Sequence, residues 1–173
     1  NLVADVGRGR ISLSDESAFG VGRNLAVTPG SVVFRNELVE VIQYAPATPT
    51  VHRRPLVIVP PCINKFYILD LKPSNSFVRH AVLQGHTVFM VSWRNVPPEL
   101  GHLAWDDYLE DGVLAAFDVA KSVTGSRTIN ALGFCVGGTL LACALAVLGA
   151  RRDRSVASAT FLTTMLDFTD PDE

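Results

Sequence analysis

Cys135 is the residue whose surroundings point most directly to chemistry. It lies between Gly133 and Gly137 in the segment GFCVGG. An apolar run at residues 128–132 precedes this segment, and an Ala-rich apolar stretch at residues 139–150 follows it. A strand, then Gly-x-nucleophile-x-Gly, then a helix is the pattern of a nucleophile elbow. A cysteine in the nucleophile position favours acyl transfer through a thioester.

The spacing of this segment has a mechanical reason. Side chains flanking the nucleophile would clash with the strand and the helix, and glycines at Gly133 and Gly137 remove those clashes. We expect the Cys135 sulfur to stand above the sheet at a helix N-terminus, where the helix dipole and free amides favour a thiolate. The amide of Val136 is then placed to donate to an oxyanion. For the motif alone, the alternative is a buried structural cysteine beside packing glycines.

Composition limits the class of protein. The 173 residues suffice for one domain with a core, and 48% apolar with 18% charged residues indicates a soluble globular chain. A net charge of −2 without a basic block argues against nucleic acid as the main partner. The Arg-rich run at residues 151–154 is interpreted as the end of the elbow helix, with a phosphate or CoA role as the alternative. The apolar run at residues 140–150 is too short to cross a bilayer, and three cysteines without disulfide spacing favour a reducing cytoplasm.

Alternating strand and helix patterns predict the architecture. Residues 1–31 are interpreted as an irregular arm, and residues 32–173 as part of a catalytic domain. Because the chain starts at Asn1 and stops shortly after its final predicted strand, we interpret it as part of a longer protein. The order of elements predicts a mostly parallel sheet with helices on both faces. The predicted strands lie at residues 32–34, 38–44, 56–59, 87–93, 128–132 and 157–163, and the predicted helices at residues 74–84, 105–123 and 139–149.

Three ordered segments resemble one known family. They are PPCINKFYILDL at residues 60–71, GHTVFMVSWRN at residues 85–95 and GFCVGG at residues 133–138, and they resemble the polyhydroxyalkanoate synthases. The likeness extends over about residues 25–170, and the first and third segments look most like class I enzymes. The resemblance implies an α/β-hydrolase fold, cut off after the strand that follows the nucleophile helix.

The resemblance also implies a reaction. Enzymes of this family polymerise (R)-3-hydroxyacyl-CoA, typically 3-hydroxybutyryl-CoA, and release CoA, with no cofactor beyond the CoA of the substrate. A Cys-Asp-His triad is implied, in which Cys135 is the nucleophile and the Asp and His lie beyond residue 173. The amides of Val136 and Ile63 would be the oxyanion donors, because Ile63 follows the strand after which hydrolases place their second donor. A cytoplasmic homodimer at the surface of polyester granules is implied as well, with the growing polyester as a partner.

Other residues are weaker candidates. Cys62, Asn64 and Trp93 are predicted to line the pocket, although Cys62 could serve only packing and Trp93 only the local fold. All four histidines precede Cys135, whereas this fold orders nucleophile, acid and histidine along the chain. They are therefore expected to be structural or solvated, and no metal site is predicted. Asp167 follows the last predicted strand as an alternative acid, but the family does not use this position.

Two other functions remain open at this point. One is a cysteine-dependent thioesterase or esterase on the same fold, which would release free 3-hydroxy acid rather than polymer. The other is a non-catalytic module that binds polymer granules, for which Cys135 would be dispensable. Rapid alkylation of Cys135 near neutral pH would favour the catalytic interpretations, because a packing cysteine reacts slowly.

Overall fold

The computed structural model describes residues 16–63 and 65–169. The helices of this part of the chain pack on a six-stranded mixed sheet. Its strands are β1 (Gly30–Arg35), β2 (Val39–Tyr44), β3 (Leu56–Val59), β6 (Val88–Trp93), β7 (Ile129–Phe134) and β8 (Val156–Leu162), and a separate small hairpin consists of β4 (Asp70–Lys72) and β5 (Asn75–Ser76). The spatial order in the large sheet is β1-β2-β6-β3-β7-β8. Strand β1 pairs antiparallel with β2 and β2 pairs antiparallel with β6, whereas β6, β3, β7 and β8 run parallel.

Three helices cover the sheet. The first, α1, spans Phe77–Leu83, and the third, α3, spans Val136–Ala150. Between them, α2 is continuous but changes its winding, with helical turns at Trp105–Asp107, a π-helical segment at Tyr108–Leu114 and an α-helical segment at Ala115–Thr124. None of the helices in the described residues is long and apolar enough to span a bilayer.

The two faces of the sheet bury two separate apolar clusters. Helix α1 packs Val78, Ala81 and Val82 onto one face, where Ile58 and Met90 are fully buried. Helices α2 and α3 cover the other face, and their cluster includes the alternate residues of the same strands. The central strands are therefore apolar at almost every position, which is why their sequences read as continuous apolar runs. The predicted mostly parallel sheet with helices on both faces is confirmed.

Element boundaries agree closely with prediction at the buried strands and less well elsewhere. The strand at residues 56–59 has the predicted bounds. Helix α1 was expected from Ser74 but begins at Phe77, because the side chain of Ser76 caps it by accepting a hydrogen bond from the amide of Arg79 at 2.8 Å. The π-helical segment and the β4–β5 hairpin were not predicted.

The expected N-terminal arm is described only from residue 16, and residues 1–15 lie outside the described part. The arm contacts the small hairpin through Asp70, which is buried. One oxygen of its carboxylate accepts hydrogen bonds from the hydroxyls of Thr28 at 2.6 Å and Ser76 at 2.5 Å. The backbone carbonyl of Asp70 also accepts from the amide of Ala26 at 2.9 Å. The division at residue 32 stays a prediction.

Candidate active site

Cys135 occupies the turn between β7 and α3 in an unusual backbone conformation. Its φ is 54° and its ψ is −128°, a region that non-glycine residues rarely adopt and that structures tolerate mainly at functional sites. The turn is held from both sides. The amide of Cys135 donates to the carbonyl of Leu162 at 2.9 Å, and its carbonyl accepts from the amide of Gly138 at 2.8 Å. The residue is half-buried, so its thiol is not sealed inside the core.

The glycines around Cys135 are sites of very close backbone contact. A Cβ at Gly137 would lie 2.1 Å from the carbonyl oxygen of Val59, and one at Gly133 would lie 2.4 Å from the Cα of Gly138. Real side chains do not occupy such distances, so only glycine fits at either position. A Cβ at Gly138 would likewise lie 2.0 Å from the hydroxyl oxygen of Thr164. We did not single out Gly138 from the sequence, although the doubled glycine of GFCVGG was the available signal.

The two predicted oxyanion donors lie at neighbouring strand ends. Strands β3 and β7 are parallel partners, with Val59 opposite Gly133, so the chain leaves both strands at the same edge of the sheet. Val136 is the first residue of α3, and the first four amides of a helix have no partner within it. Ile63 lies in the turn after β3 with its side chain 75% exposed. No backbone hydrogen bond outside helices and strands of the described residues uses either amide.

Trp93 supports the loop that carries Ile63. Its indole N–H donates to the carbonyl of Pro60 at 2.8 Å, and both groups are buried. The indole also packs against the ring of Tyr108, with centroids 5.5 Å apart. A Cβ at Gly112 would lie 2.5 Å from the outer indole ring, so the π-helical part of α2 passes directly over Trp93. Of the two roles considered for Trp93, this geometry favours the one in the local fold.

Cys62 is a half-buried residue of the same loop. It packs against the core cluster under α2 and α3. Burial raises the pKa of the Cys62 thiol, although a backbone hydrogen bond acts in the opposite direction. The pKa of Tyr108 is also raised, first by burial and then by the charge of Cys62. A thiol with a raised pKa stays protonated near neutral pH and is a poor nucleophile, which favours packing as the role of Cys62. The remaining pocket candidate, Asn64, lies outside the described residues.

The histidines do not meet Cys135. The rings of His52 and His86 contact each other at a tilt of 47° with centroids 4.8 Å apart, and these residues precede β3 and β6 at the edge opposite the elbow. Nδ1 of His102 contacts only the backbone carbonyl of Glu99 at 3.1 Å. Within the described part of the chain, no hydrogen bond or ring contact joins a histidine to Cys135.

Asp167 forms hydrogen bonds with Thr169, two residues further along the chain. Its carboxylate accepts hydrogen bonds from the hydroxyl of Thr169 at 2.7 Å and from the amide of the same residue at 3.0 Å. These bonds lower the pKa of the Asp167 carboxyl, the side-chain bond being the larger cause. The described residues thus place Cys135 and the amides of Val136 and Ile63 at one sheet edge, and no hydrogen bond among the described residues joins Asp167 or a histidine to Cys135.

Comparison with protein families gives two matches along this chain. Residues 1–81 match the family described as poly-beta-hydroxybutyrate polymerase (PhaC) N-terminus, and residues 55–173 match the alpha/beta hydrolase fold. The chain is 58% identical to the poly(3-hydroxyalkanoate) polymerase subunit PhaC of Cupriavidus necator over 98% of its own length and 29% of that protein's. It is 50% identical to the poly(3-hydroxyalkanoate) polymerase of Methylorubrum extorquens over 98% of its length and 28% of that protein's. The chain therefore spans less than a third of these relatives.

Solved structures give the same fold at low identity. A sugar hydrolase from Lactococcus lactis superposes with a TM-score of 0.58 at 15% identity, over 81% of this chain and 55% of the other. A putative lipase from Sulfolobus solfataricus superposes with a TM-score of 0.56 at 14% identity, over 83% of this chain and 53% of the other. These likenesses show the fold alone.

Proposed function

Because the chain belongs to the poly(3-hydroxyalkanoate) polymerase family, on an α/β-hydrolase fold, we propose that the whole protein polymerises (R)-3-hydroxyacyl-CoA and releases CoA. The class I character of its motifs favours 3-hydroxybutyryl-CoA as the substrate. The observation that carries the proposal is the backbone of Cys135, which has a φ of 54° between two glycines that no other residue could replace. That conformation is the one an exposed nucleophile on a strand-to-helix turn requires.

In the first proposed step, the Cys135 thiolate attacks the carbonyl carbon of the substrate thioester. The carbonyl oxygen becomes an oxyanion that accepts hydrogen bonds from the amides of Val136 and Ile63. When the oxyanion collapses, the bond to the CoA sulfur breaks, and CoA leaves as a thiolate that takes up a proton. Loss of one oxyanion donor typically raises the barrier by about 3–4 kcal/mol.

In the second proposed step, the hydroxyl of another 3-hydroxyacyl unit attacks the acyl carbon held on Cys135. A new oxoester forms, the bond to the cysteine sulfur breaks, and the hydroxyl proton is removed by a base. Exchange of one thioester for another is nearly neutral in free energy, so the acyl group stays activated until this attack. The family resemblance assigns the base to a His oriented by an Asp, both beyond residue 173, and the reaction needs no cofactor beyond the CoA of its substrate.

The location of the full-length protein follows from the same family. We propose a cytoplasmic homodimer that works at the surface of polyhydroxyalkanoate granules, with the growing polyester leaving the site. The 173-residue chain by itself is expected to be inactive, because its described histidines make no contact with Cys135.

The test is Cys135→Ala in the full-length protein supplied with 3-hydroxybutyryl-CoA. The variant should lose CoA release, polymer formation and the covalent acyl-enzyme that intact-protein mass spectrometry detects. Cys143→Ala is the matched control, because Cys143 is another half-buried cysteine two turns further along α3. Turnover by Cys135→Ala would remove Cys135 from the mechanism. Soluble 3-hydroxy acid in place of polymer, still dependent on Cys135, would identify a thioesterase instead.

A further inference from the structure

Arginines line the edge of the sheet that lies opposite Cys135. Arg54, Arg127 and Arg154 each stand two residues before the first residue of β3, β7 and β8 respectively. These strands are adjacent and parallel and lie about 4.8 Å apart, so all three begin at the same edge of the sheet. The three arginines therefore lie along that edge. Cys135 follows the opposite end of β7. The row of arginines is thus separated from the elbow by the length of the strands.

Part of this edge forms a cleft. It has a volume of about 550 Å³ and is lined by Arg53, Arg54, Ser126, Arg127, Thr128 and Asn130. Nε of Arg54 donates to the hydroxyl of Thr128 at 3.1 Å, which ties the β3 side of the cleft to the β7 side. The hydroxyl of Ser126 donates to the backbone carbonyl of Thr128 at 2.7 Å and orders the turn before β7. All of the described lining residues are polar, and none is acidic.

Within the described residues, no carboxylate forms an ion pair with an arginine of the cleft. The ion pairs in the described residues use other cations, namely Arg35 with Glu40, Lys121 with Asp118 and Arg151 with Glu110. The nearby carboxylate of Asp153 is already engaged by the amide of Ser155 at 2.6 Å. In a chain whose net charge is −2, this edge is a local concentration of guanidinium groups that form no ion pair with the described residues.

We propose that this cleft binds the phosphate group of a small anionic ligand. The planar guanidinium fork of arginine matches phosphate oxygens in pairs, and the hydroxyl and amide side chains of the cleft supply further donors. The volume lies in the range of small-molecule sites. Because the described lining contains no aromatic or apolar side chain, the phosphate itself is recognised and the organic part of the ligand contributes little. The site is independent of the function proposed for Cys135.

The experiment titrates the full-length protein with inorganic pyrophosphate by isothermal calorimetry at low ionic strength. Arg54→Gln and Arg127→Gln should each weaken binding by about tenfold or more, the effect expected for a lost charge-assisted hydrogen bond. Arg127→Lys should restore only part of the affinity, because it keeps the charge and loses the fork. ADP should bind about as tightly as pyrophosphate. The matched control is Arg79→Gln, since Arg79 is an exposed arginine on α1 with no ion pair in the described residues.

Two results would overturn the proposal. One is the absence of pyrophosphate binding to the unmodified protein. The other is an equal loss of affinity in Arg79→Gln, which would mean diffuse charge attraction rather than a site. Binding to phosphatidylglycerol vesicles that pyrophosphate displaces, and that Arg127→Gln abolishes, would support the site with a lipid headgroup as the source of the phosphate. Circular dichroism of each variant confirms folding, which these exposed positions should not disturb.

Discussion

The two ends of the central parallel strands are built in opposite ways. Where β3 and β7 end, backbone meets backbone so closely that a Cβ at Gly137 would lie 2.1 Å from the carbonyl of Val59. Where the same strands begin, the exposed side chains of Arg54 and Arg127 line an open polar cleft. At the first edge, the proposed chemistry depends on amides whose positions are fixed by close packing. At the second, it depends on long charged side chains that packing does not fix. The first edge should therefore tolerate substitution far less than the second.

The largest expected effect is that of Gly137→Ala. The added Cβ would meet the carbonyl of Val59 and the backbone of Pro60, neither of which is a flexible side chain that could move aside. We expect the free energy of unfolding to fall by about 3 kcal/mol or more, the upper range for overpacking. Urea unfolding of the full-length protein measures this change.

Gly149→Ala is the matched control for that variant, because it makes the same substitution in the same helix. Nothing lies within 4 Å of a Cβ at Gly149. Alanine is the better helix former by about 1 kcal/mol in a helix interior, so Gly149→Ala should leave stability unchanged or raise it. Similar losses in both variants would show that the contact at Val59 is not the cause.

A smaller effect is expected for Trp93→Phe, which keeps an aromatic ring and removes the indole N–H. The buried carbonyl of Pro60 would lose its donor at 2.8 Å, at a cost of about 1–3 kcal/mol. Because the same loop carries Ile63, the rate of acylation of Cys135 should fall by about tenfold through a displaced oxyanion donor. Single-turnover kinetics with 3-hydroxybutyryl-CoA measures that rate.

Trp105→Phe makes the same substitution at the other tryptophan, which is 44% exposed. It should change neither the free energy of unfolding nor the rate of acylation of Cys135. If Trp93→Phe lowered stability while acylation kept its full rate, Trp93 would support the fold without positioning the oxyanion donor.

The smallest effect is expected for Arg127→Gln at the opposite edge. Arg127 is exposed and belongs to none of the ion pairs in the described residues. The free energy of unfolding should therefore change by no more than about 0.5 kcal/mol, as for other surface substitutions. If Arg127→Gln lowered the free energy of unfolding as much as Gly137→Ala does, both edges of the sheet would be equally sensitive to substitution. The proposed difference between the two edges would then be wrong.

The elbow could be predicted because its signals are local. Gly133, Cys135 and Gly137 lie within five residues, and the clash at Gly133 arises between β7 and the helix that follows it, whereas the clash at Gly137 involves Val59 of β3. The strand at residues 56–59 could also be predicted, because a strand that is buried on both faces has a continuous run of apolar residues. The start of α1 was harder to predict, because Ser74 and Ser76 both suit the N-cap of a helix. Only Ser76 accepts the capping hydrogen bond, from the amide of Arg79.

Contacts between distant residues could not be predicted. The hydrogen bond from Trp93 to Pro60 joins residues that are 33 positions apart. The π-helical segment that contains Gly112 has no distinctive periodicity in the sequence. The roles of Cys62 and Trp93 were therefore left open by the sequence. The arginine cleft is a similar case, because Arg54 and Arg127 are 73 positions apart in the sequence and become neighbours only through the pairing of β3 with β7.

The sequence by itself determined the strand–turn–helix around Cys135 and the alternation of apolar strands and helices, because local backbone conformation and hydrophobic periodicity depend on residues that are close in the chain. Only the tertiary structure decided which side chain donates a hydrogen bond to the loop after β3, which apolar cluster Cys62 packs against and which arginines share an edge. Those outcomes depend on the order in which parallel strands pair, and pairing order is a property of the whole sheet rather than of any one segment.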